Sequence, residues 1–188
     1  MKKLTILFVL LLILTGCKKT NALAVPFDIE TYNTDVSYYE GLTNEDSMFL
    51  GTTIKEIKRT IDENGHGVFV IGFRECSHCQ IAMQYLNQVA KELDVHVYYI
   101  DAMSKEYPIL DTEDFDIMNE ILYDYYREDE DGTRELQTPH VFSIIDGKIS
   151  ESYIGTPWKG SNYNDDDINK LLDIYRKILK PFSSQSQD

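Results

Sequence analysis

Cys76 and Cys79 carry the clearest chemistry in this chain, set as Cys76-Ser77-His78-Cys79 directly after the apolar run Val68 to Phe73. Two thiols at this spacing can close and open a disulfide, exchanging two electrons with an external thiol or disulfide. The run before them reads as a strand buried on both faces, and a helical pattern follows. That order sets the thiols at a strand-to-helix turn. There, unpaired helix N–H groups and the helix dipole favour a thiolate over a thiol. Spacing alone leaves three other readings open: half of a zinc site, a structural disulfide, or coincidence. A structural zinc site calls for a second ligand pair. None exists at similar spacing, and His66, His78, His96 and His140 are scattered along the sequence.

The elements that must position this turn follow from periodicity. Ile54, Ile57 and Ile61 predict a helix over Thr53 to Asn64, with Thr52 or Thr53 as cap and Gly65 as stop. Cys79 to Leu93 is amphipathic, and Val95 to Asp101 is the next β run. Together these read as a βαβ unit with a parallel, right-handed crossover. Phe115, Met118, Ile121, Leu122 and Tyr125 predict a helix within Asp111 to Tyr126, followed by a charged loop over Arg127 to Gln137. Beyond Thr138-Pro139, His140 to Ile145 and Lys148 to Ile154 form a hairpin around Asp146-Gly147. Asp165 to Lys180 predicts a closing helix, with acids early and bases late to match its dipole. The tail from Ser183 reads as disordered.

With 188 residues, 43% apolar and 27% charged, the chain can form one domain with a sizeable core. Its net charge of −14 repels nucleic acid and anionic headgroups, so no nucleic-acid partner is expected.

The third cysteine belongs to a different signal. Lys2 and Lys3 precede the apolar stretch Leu4 to Leu14, which is short of the ~20 residues a membrane-spanning helix needs. Leu14-Thr15-Gly16-Cys17 then resembles the bacterial lipobox. The resemblance implies cleavage before Cys17 and lipidation of its sulfur, with palmitate-type acyl chains holding the protein to a membrane. Each buried CH₂ contributes ~0.8 kcal/mol to such an anchor. An ordinary signal peptide, or an uncleaved anchor, is the alternative. The expected organisation is a lipoprotein signal peptide over 1–16 and an acylated tether over 17–47. A domain over 48–182 and a tail over 183–188 complete it. Tyr38 and Tyr39 are candidates to dock on the domain. The expected location is extracytoplasmic, on the bacterial cell membrane, where disulfides persist.

Strand, Cys-x-x-Cys, helix, strand, helix, a proline after a polar residue, and a hairpin closed by a helix make up a known order. From Gly51 to Lys180 the chain resembles the thioredoxin-like superfamily in that order. The most specific part is Thr138-Pro139, with Gly147 eight residues on and Gly155 eight beyond that. Within the superfamily the chain is similar to lipid-anchored and bacteriocin-accessory members. The resemblance implies an α/β thioredoxin-like fold, a central mixed β-sheet flanked by helices, and thiol-disulfide oxidoreductase activity. Cys76, at an exposed helix start, would be the attacking thiolate and Cys79 the resolving thiol. A cis Pro139 would place the Thr138 backbone beside Cys76 to pair with an extended substrate, and Gly155 would let the backbone pass close. Ser77 and His78 fill the motif. A histidine here is similar to the Cys-Pro-His-Cys of periplasmic dithiol oxidases, and would stabilise the Cys76 thiolate. No organic cofactor beyond the Cys76–Cys79 disulfide and no metal are implied. The partners implied are protein or peptide thiols and disulfides, and an unidentified redox partner.

Two departures from the pattern bear on direction. Val70 stands where many relatives keep a buried acid, and Glu75 where an aromatic commonly precedes the first cysteine. Both weaken the case for fast reduction and favour oxidation or slow exchange with a dedicated partner. The interval from Cys79 to Thr138 is also roughly twenty residues longer than in a minimal thioredoxin, the excess falling in Glu113 to Gln137. That excess is either a solvated loop or a partner-selecting surface. Two rival functions remain. One is a copper- or zinc-binding module using Cys76 and Cys79 with His78 or His140. The other is a non-catalytic accessory protein for peptide or bacteriocin secretion.

Overall fold

The computed structural model describes residues 27–106, 109, 113–128, 131–160 and 162–183. The signal and lipidation readings, Cys17 included, lie outside the described residues, as do 184–188.

Five strands form one mixed sheet: β1 (Phe49–Gly51), β2 (Gly67–Gly72), β3 (Val97–Asp101), β4 (His140–Ile145) and β5 (Lys148–Ile154). Their order across the sheet is β1-β3-β2-β4-β5. β3 runs parallel to β1 and β2, whereas β4 is antiparallel to β2 and β5. The helices are α1 (Ile54–Asp62), α2 (Ser77–Leu93), α3 (Glu113–Leu122) and α4 (Asp165–Leu179). α1 packs with α3 on one face, and α2 with α4 on the other. This is the α/β thioredoxin-like architecture, a central mixed sheet flanked by helices.

β2 is the spine of both cores because every one of its residues is buried. Val68 and Val70 join the core under α2 and α4, while Phe69 and Ile71 join the one under α1 and α3. Phe69 stacks on Phe142 of β4 at 5.6 Å between ring centroids. Each fully buried apolar side chain of this size contributes roughly 1.5–3 kcal/mol, so β2 is the element least able to shift. The site at its C-terminal end inherits that rigidity.

The caps follow the sequence with local corrections. The Thr53 hydroxyl accepts the Glu56 N–H and starts α1, whereas the Thr52 hydroxyl donates to the Glu30 carbonyl at 2.8 Å. Asn164 and Asp167 close a capping box on α4. Asp146 and Gly147 both adopt positive φ at the β4–β5 turn. β3 begins at Val97 rather than Val95, and α3 ends at Leu122 in a short 3-10 turn over Tyr123–Tyr125.

The polar stretch before Met48 is not a free tether in its described part. Ile29, Val36, Tyr39 and Leu42 are buried, and Tyr32 pairs with Gly51 at the sheet edge. Tyr38 and Tyr39 both hydrogen-bond the Tyr99 hydroxyl, at 2.8 and 3.0 Å. Four apolar residues at irregular spacing show no period, yet Val36, Tyr39 and Leu42 join the core under α2 and α4, and Ile29 joins the one under α1 and α3. Ser183, grouped with the tail by composition, is likewise buried, its N–H on the Lys180 carbonyl. Among the described residues no helix is long and apolar enough to cross a membrane.

Candidate active site

Gly72 ends β2, and Phe73, Arg74 and Glu75 turn the chain so that Cys76 becomes the N-cap of α2. Its sulfur takes the role that a serine hydroxyl usually plays, accepting the Cys79 N–H at 3.1 Å. Cys76 and Cys79 are joined in a disulfide, with Cα atoms 5.2 Å apart. Cys76 is 7% exposed and Cys79 fully buried, so the first cysteine is less open than its helix-start position suggested. The cover is Thr138. Its hydroxyl donates to the Cys76 sulfur at 3.2 Å and its carbonyl oxygen lies 3.5 Å from the same atom.

The Thr138–Pro139 bond is cis, and the Pro139 carbonyl accepts the Gly155 N–H at 2.7 Å. Gly155 has φ +73°, while an added side chain would meet its nearest atom only 3.9 Å away. The glycine is therefore required by backbone conformation rather than by close passage. The loop it opens carries Thr156 and Trp158 to the mouth of the site. His78 Nδ1 is 2.7 Å from the Thr156 hydroxyl, which donates to the Trp158 carbonyl at 3.2 Å. With the Thr156 proton so committed, Nδ1 is the donor in the first bond. Ser77 is exposed on the first turn of α2.

Beneath the disulfide the surroundings are aromatic. Val70 is fully buried, as its position in β2 requires. At Gly72 an added Cβ would lie 3.1 Å from the Tyr39 hydroxyl and 3.5 Å from the Cys79 sulfur. The Tyr39 hydroxyl, which shares the Tyr99 hydroxyl with Tyr38, thus lies on the same side of Gly72 as the Cys79 sulfur. Burial pushes all three phenols above their ordinary pKa, so they stay neutral donors. Asp101, in register with Gly72, has its carboxyl pKa raised by burial.

His140 sits among Phe142 and Tyr126 on the α1–α3 side, while Cys79 belongs to the core on the α2–α4 side. Its Nε2 pairs with the Ser152 hydroxyl at 2.8 Å. Among the described residues no three of His, Cys, Asp and Glu group to hold a metal ion.

Two clefts share Phe73, Leu136 and Thr138 as a common wall, and Thr138 is the residue whose hydroxyl reaches Cys76. The larger, about 590 Å³, lies between the end of β3, α3 and the loop before Thr138. The other, about 470 Å³, contains His78, Arg127, Trp158 and Lys159.

No protein-family model matches the sequence, and no curated protein does. Among solved structures, the chain is similar to oxidised thioredoxin O2 from Arabidopsis thaliana, at 11% identity and TM-score 0.41. That match covers 70% of this chain and 95% of the other. It is also similar to thioredoxin from Fasciola hepatica, at 18% identity and TM-score 0.37, over 65% and 94% of the two chains. The fold rests on the sheet order given above, and these likenesses carry no argument about function.

Sequence reasoning placed the cysteines, Thr138 and Pro139 together, and the structure brings them together. It missed Thr156, which fixes the His78 ring, and the Tyr39 hydroxyl beside Gly72. The one available signal for Thr156 was its place directly after Gly155, at the same mouth as the motif.

Proposed function

We propose that this chain is a thiol-disulfide oxidoreductase acting on protein or peptide disulfides. The observation that carries this reading is the double donation to Cys76. The Cys79 N–H, on the first turn of α2, and the Thr138 hydroxyl, from the loop before β4, both point at its sulfur. A thiolate accepts such bonds far more strongly than a disulfide sulfur does, so the arrangement favours the reduced, nucleophilic form.

In the reducing direction the Cys76 thiolate attacks one sulfur of a substrate disulfide. A mixed disulfide forms and one substrate thiolate leaves. Cys79 then loses its proton and attacks the Cys76 sulfur, releasing the second substrate thiolate and leaving the Cys76–Cys79 disulfide. Oxidation runs the same steps backwards: a substrate thiolate attacks Cys76, Cys79 departs as thiolate, and a second substrate thiol displaces Cys76. Both directions balance without a cofactor or metal. An unidentified redox partner resets the pair.

The location belongs to the same proposal. Cleavage before Cys17 and lipidation of its sulfur would tether the domain outside the bacterial cell membrane, where the acidic surface gives nucleic acid no purchase. Loss of labelled palmitate on Cys17→Ser would support it, and unchanged labelling would contradict it.

The test of activity uses two variants. Cys76→Ser abolishes insulin reduction and the reoxidation of reduced ribonuclease. Cys79→Ser accumulates mixed disulfides on Cys76. Wild-type rates in both variants overturn the proposal.

A further inference from the structure

We propose that the larger cleft beside the disulfide is a side-chain pocket of the substrate site, and that it selects polypeptides by sequence. It takes an aromatic or large aliphatic side chain two residues from the reacting cysteine, on one side only. The proposal rests on the thiol–disulfide reading above.

The cleft is walled mainly by Phe73, Met103, Phe115, Tyr123 and Leu136. Asn119, Arg134 and Glu135 are its polar members, and Thr138 is the residue that also touches the disulfide. Met103, Phe115 and Tyr123 are 54, 37 and 52% exposed, so three large apolar side chains stay accessible around one concavity, with only Tyr123 touched by neighbouring rings and cations, through Tyr126 and Arg134. Grouped apolar exposure of this kind marks a binding surface rather than ordinary surface scatter. At about 590 Å³ the space is ample for one bulky side chain.

The occupant is fixed by continuity with the reacting atoms. Thr138 lines the cleft and also touches the Cys76 sulfur at 3.2 Å. Any polypeptide bonded to Cys76 is therefore already tethered at the cleft's edge, where even a modest pocket gains from high effective concentration. In an extended chain, side chains two residues apart share a face, about 6.6–6.8 Å apart along the strand. A cysteine facing Cys76 thus sends residues two away toward the same surface, one on each side. On one side lies this apolar cleft. On the other lies the cleft with His78, Arg127, Trp158 and Lys159, where two cations stand unopposed by any acid in the lining, whereas Arg134 in the first cleft is matched by Glu135. The preference for a bulky apolar residue is therefore one-sided.

The walls come largely from α3, the 3-10 turn after it and the loop up to Thr138. The additional length of Glu113 to Gln137 thereby gains a purpose: it brings Phe115, Tyr123 and Leu136 to the disulfide.

The test uses short blocked peptides carrying a central cysteine in a disulfide with glutathione. Phe or Gly is placed two residues before or two residues after it. For the wild-type chain, Phe at one of the two positions raises kcat/KM about tenfold over Gly, and Phe at the other leaves it unchanged. Phe115→Ser, at an exposed position, removes that selectivity while the rate with the all-Gly peptide holds. Asn119→Trp, which fills the cleft, does the same. Equal rates for Phe and Gly peptides in the wild-type chain overturn the pocket and leave the redox reading intact. Absence of exchange with every peptide overturns both. If the same substitutions abolish self-association in sedimentation and leave peptide selectivity untouched, the cleft is a contact between copies and the proposal fails.

Discussion

The Thr138 hydroxyl donates to the Cys76 sulfur across 3.2 Å, joining a loop residue to a helix cap 62 positions away in the chain. A hydrogen bond to a charged acceptor contributes about 1.5–3 kcal/mol, and one pKa unit corresponds to about 1.4 kcal/mol. Thr138→Val should therefore raise the Cys76 thiol pKa by about one unit, read from thiolate absorbance against pH. It should also lower the reduction potential of the pair by about 30 mV. An unchanged titration would mean that the hydroxyl does not serve the thiolate.

His78 and Thr156 should act as one unit. The 2.7 Å bond from Nδ1 fixes the imidazole, and the Thr156 proton is committed to Trp158. We predict that His78→Ala and Thr156→Val each raise the Cys76 thiol pKa, and that the double variant adds little to either. The coupling should be about 0.5–1 kcal/mol in a double-mutant cycle. Strictly additive shifts would separate the two residues.

Tyr99→Phe removes the hydroxyl that both Tyr38 and Tyr39 share. The Tyr39 hydroxyl is then left buried with one partner fewer, at a cost of about 1–3 kcal/mol in urea unfolding. Because Tyr38 and Tyr39 tie residues 27–47 to the sheet, protease should also cut that segment sooner. Stability equal to wild type would show that the hydroxyl cluster is dispensable.

His140 gives the protein a pH limit. Burial lowers its pKa from 6.5 to about 4, so the folded chain holds the imidazole neutral where the unfolded chain takes up a proton. As pH falls from 6.5 toward 4, the protein loses about 3 kcal/mol on this account. His140→Gln should flatten the upper part of that window, between pH 6.5 and 5, in unfolding experiments. A profile unaltered by the substitution would assign the loss to other groups.

The sequence revealed the buried β2, the hairpin at Asp146-Gly147 and the helix faces, because each repeats a local pattern. It also revealed the pairing of Cys76 with Thr138-Pro139, through element order. The packing of Ile29, Val36, Tyr39 and Leu42 was hidden, since it depends on gaps left by distant elements rather than on any period. Thr156 was hidden for a related reason. Its value comes from a bond to His78, 78 positions earlier, which no local spacing records. The exposed start expected for Cys76 gave way to a nearly buried one, because Thr138 folds back over its sulfur.

The central claim is that Cys76–Cys79 is an exchanging pair rather than a structural staple, and its reduction potential tests that most directly. Equilibrated against glutathione, the pair should titrate as a single two-electron couple between about −230 and −120 mV, because both donors to Cys76 stabilise the reduced form. A potential below about −300 mV, the range of structural disulfides, would contradict the account.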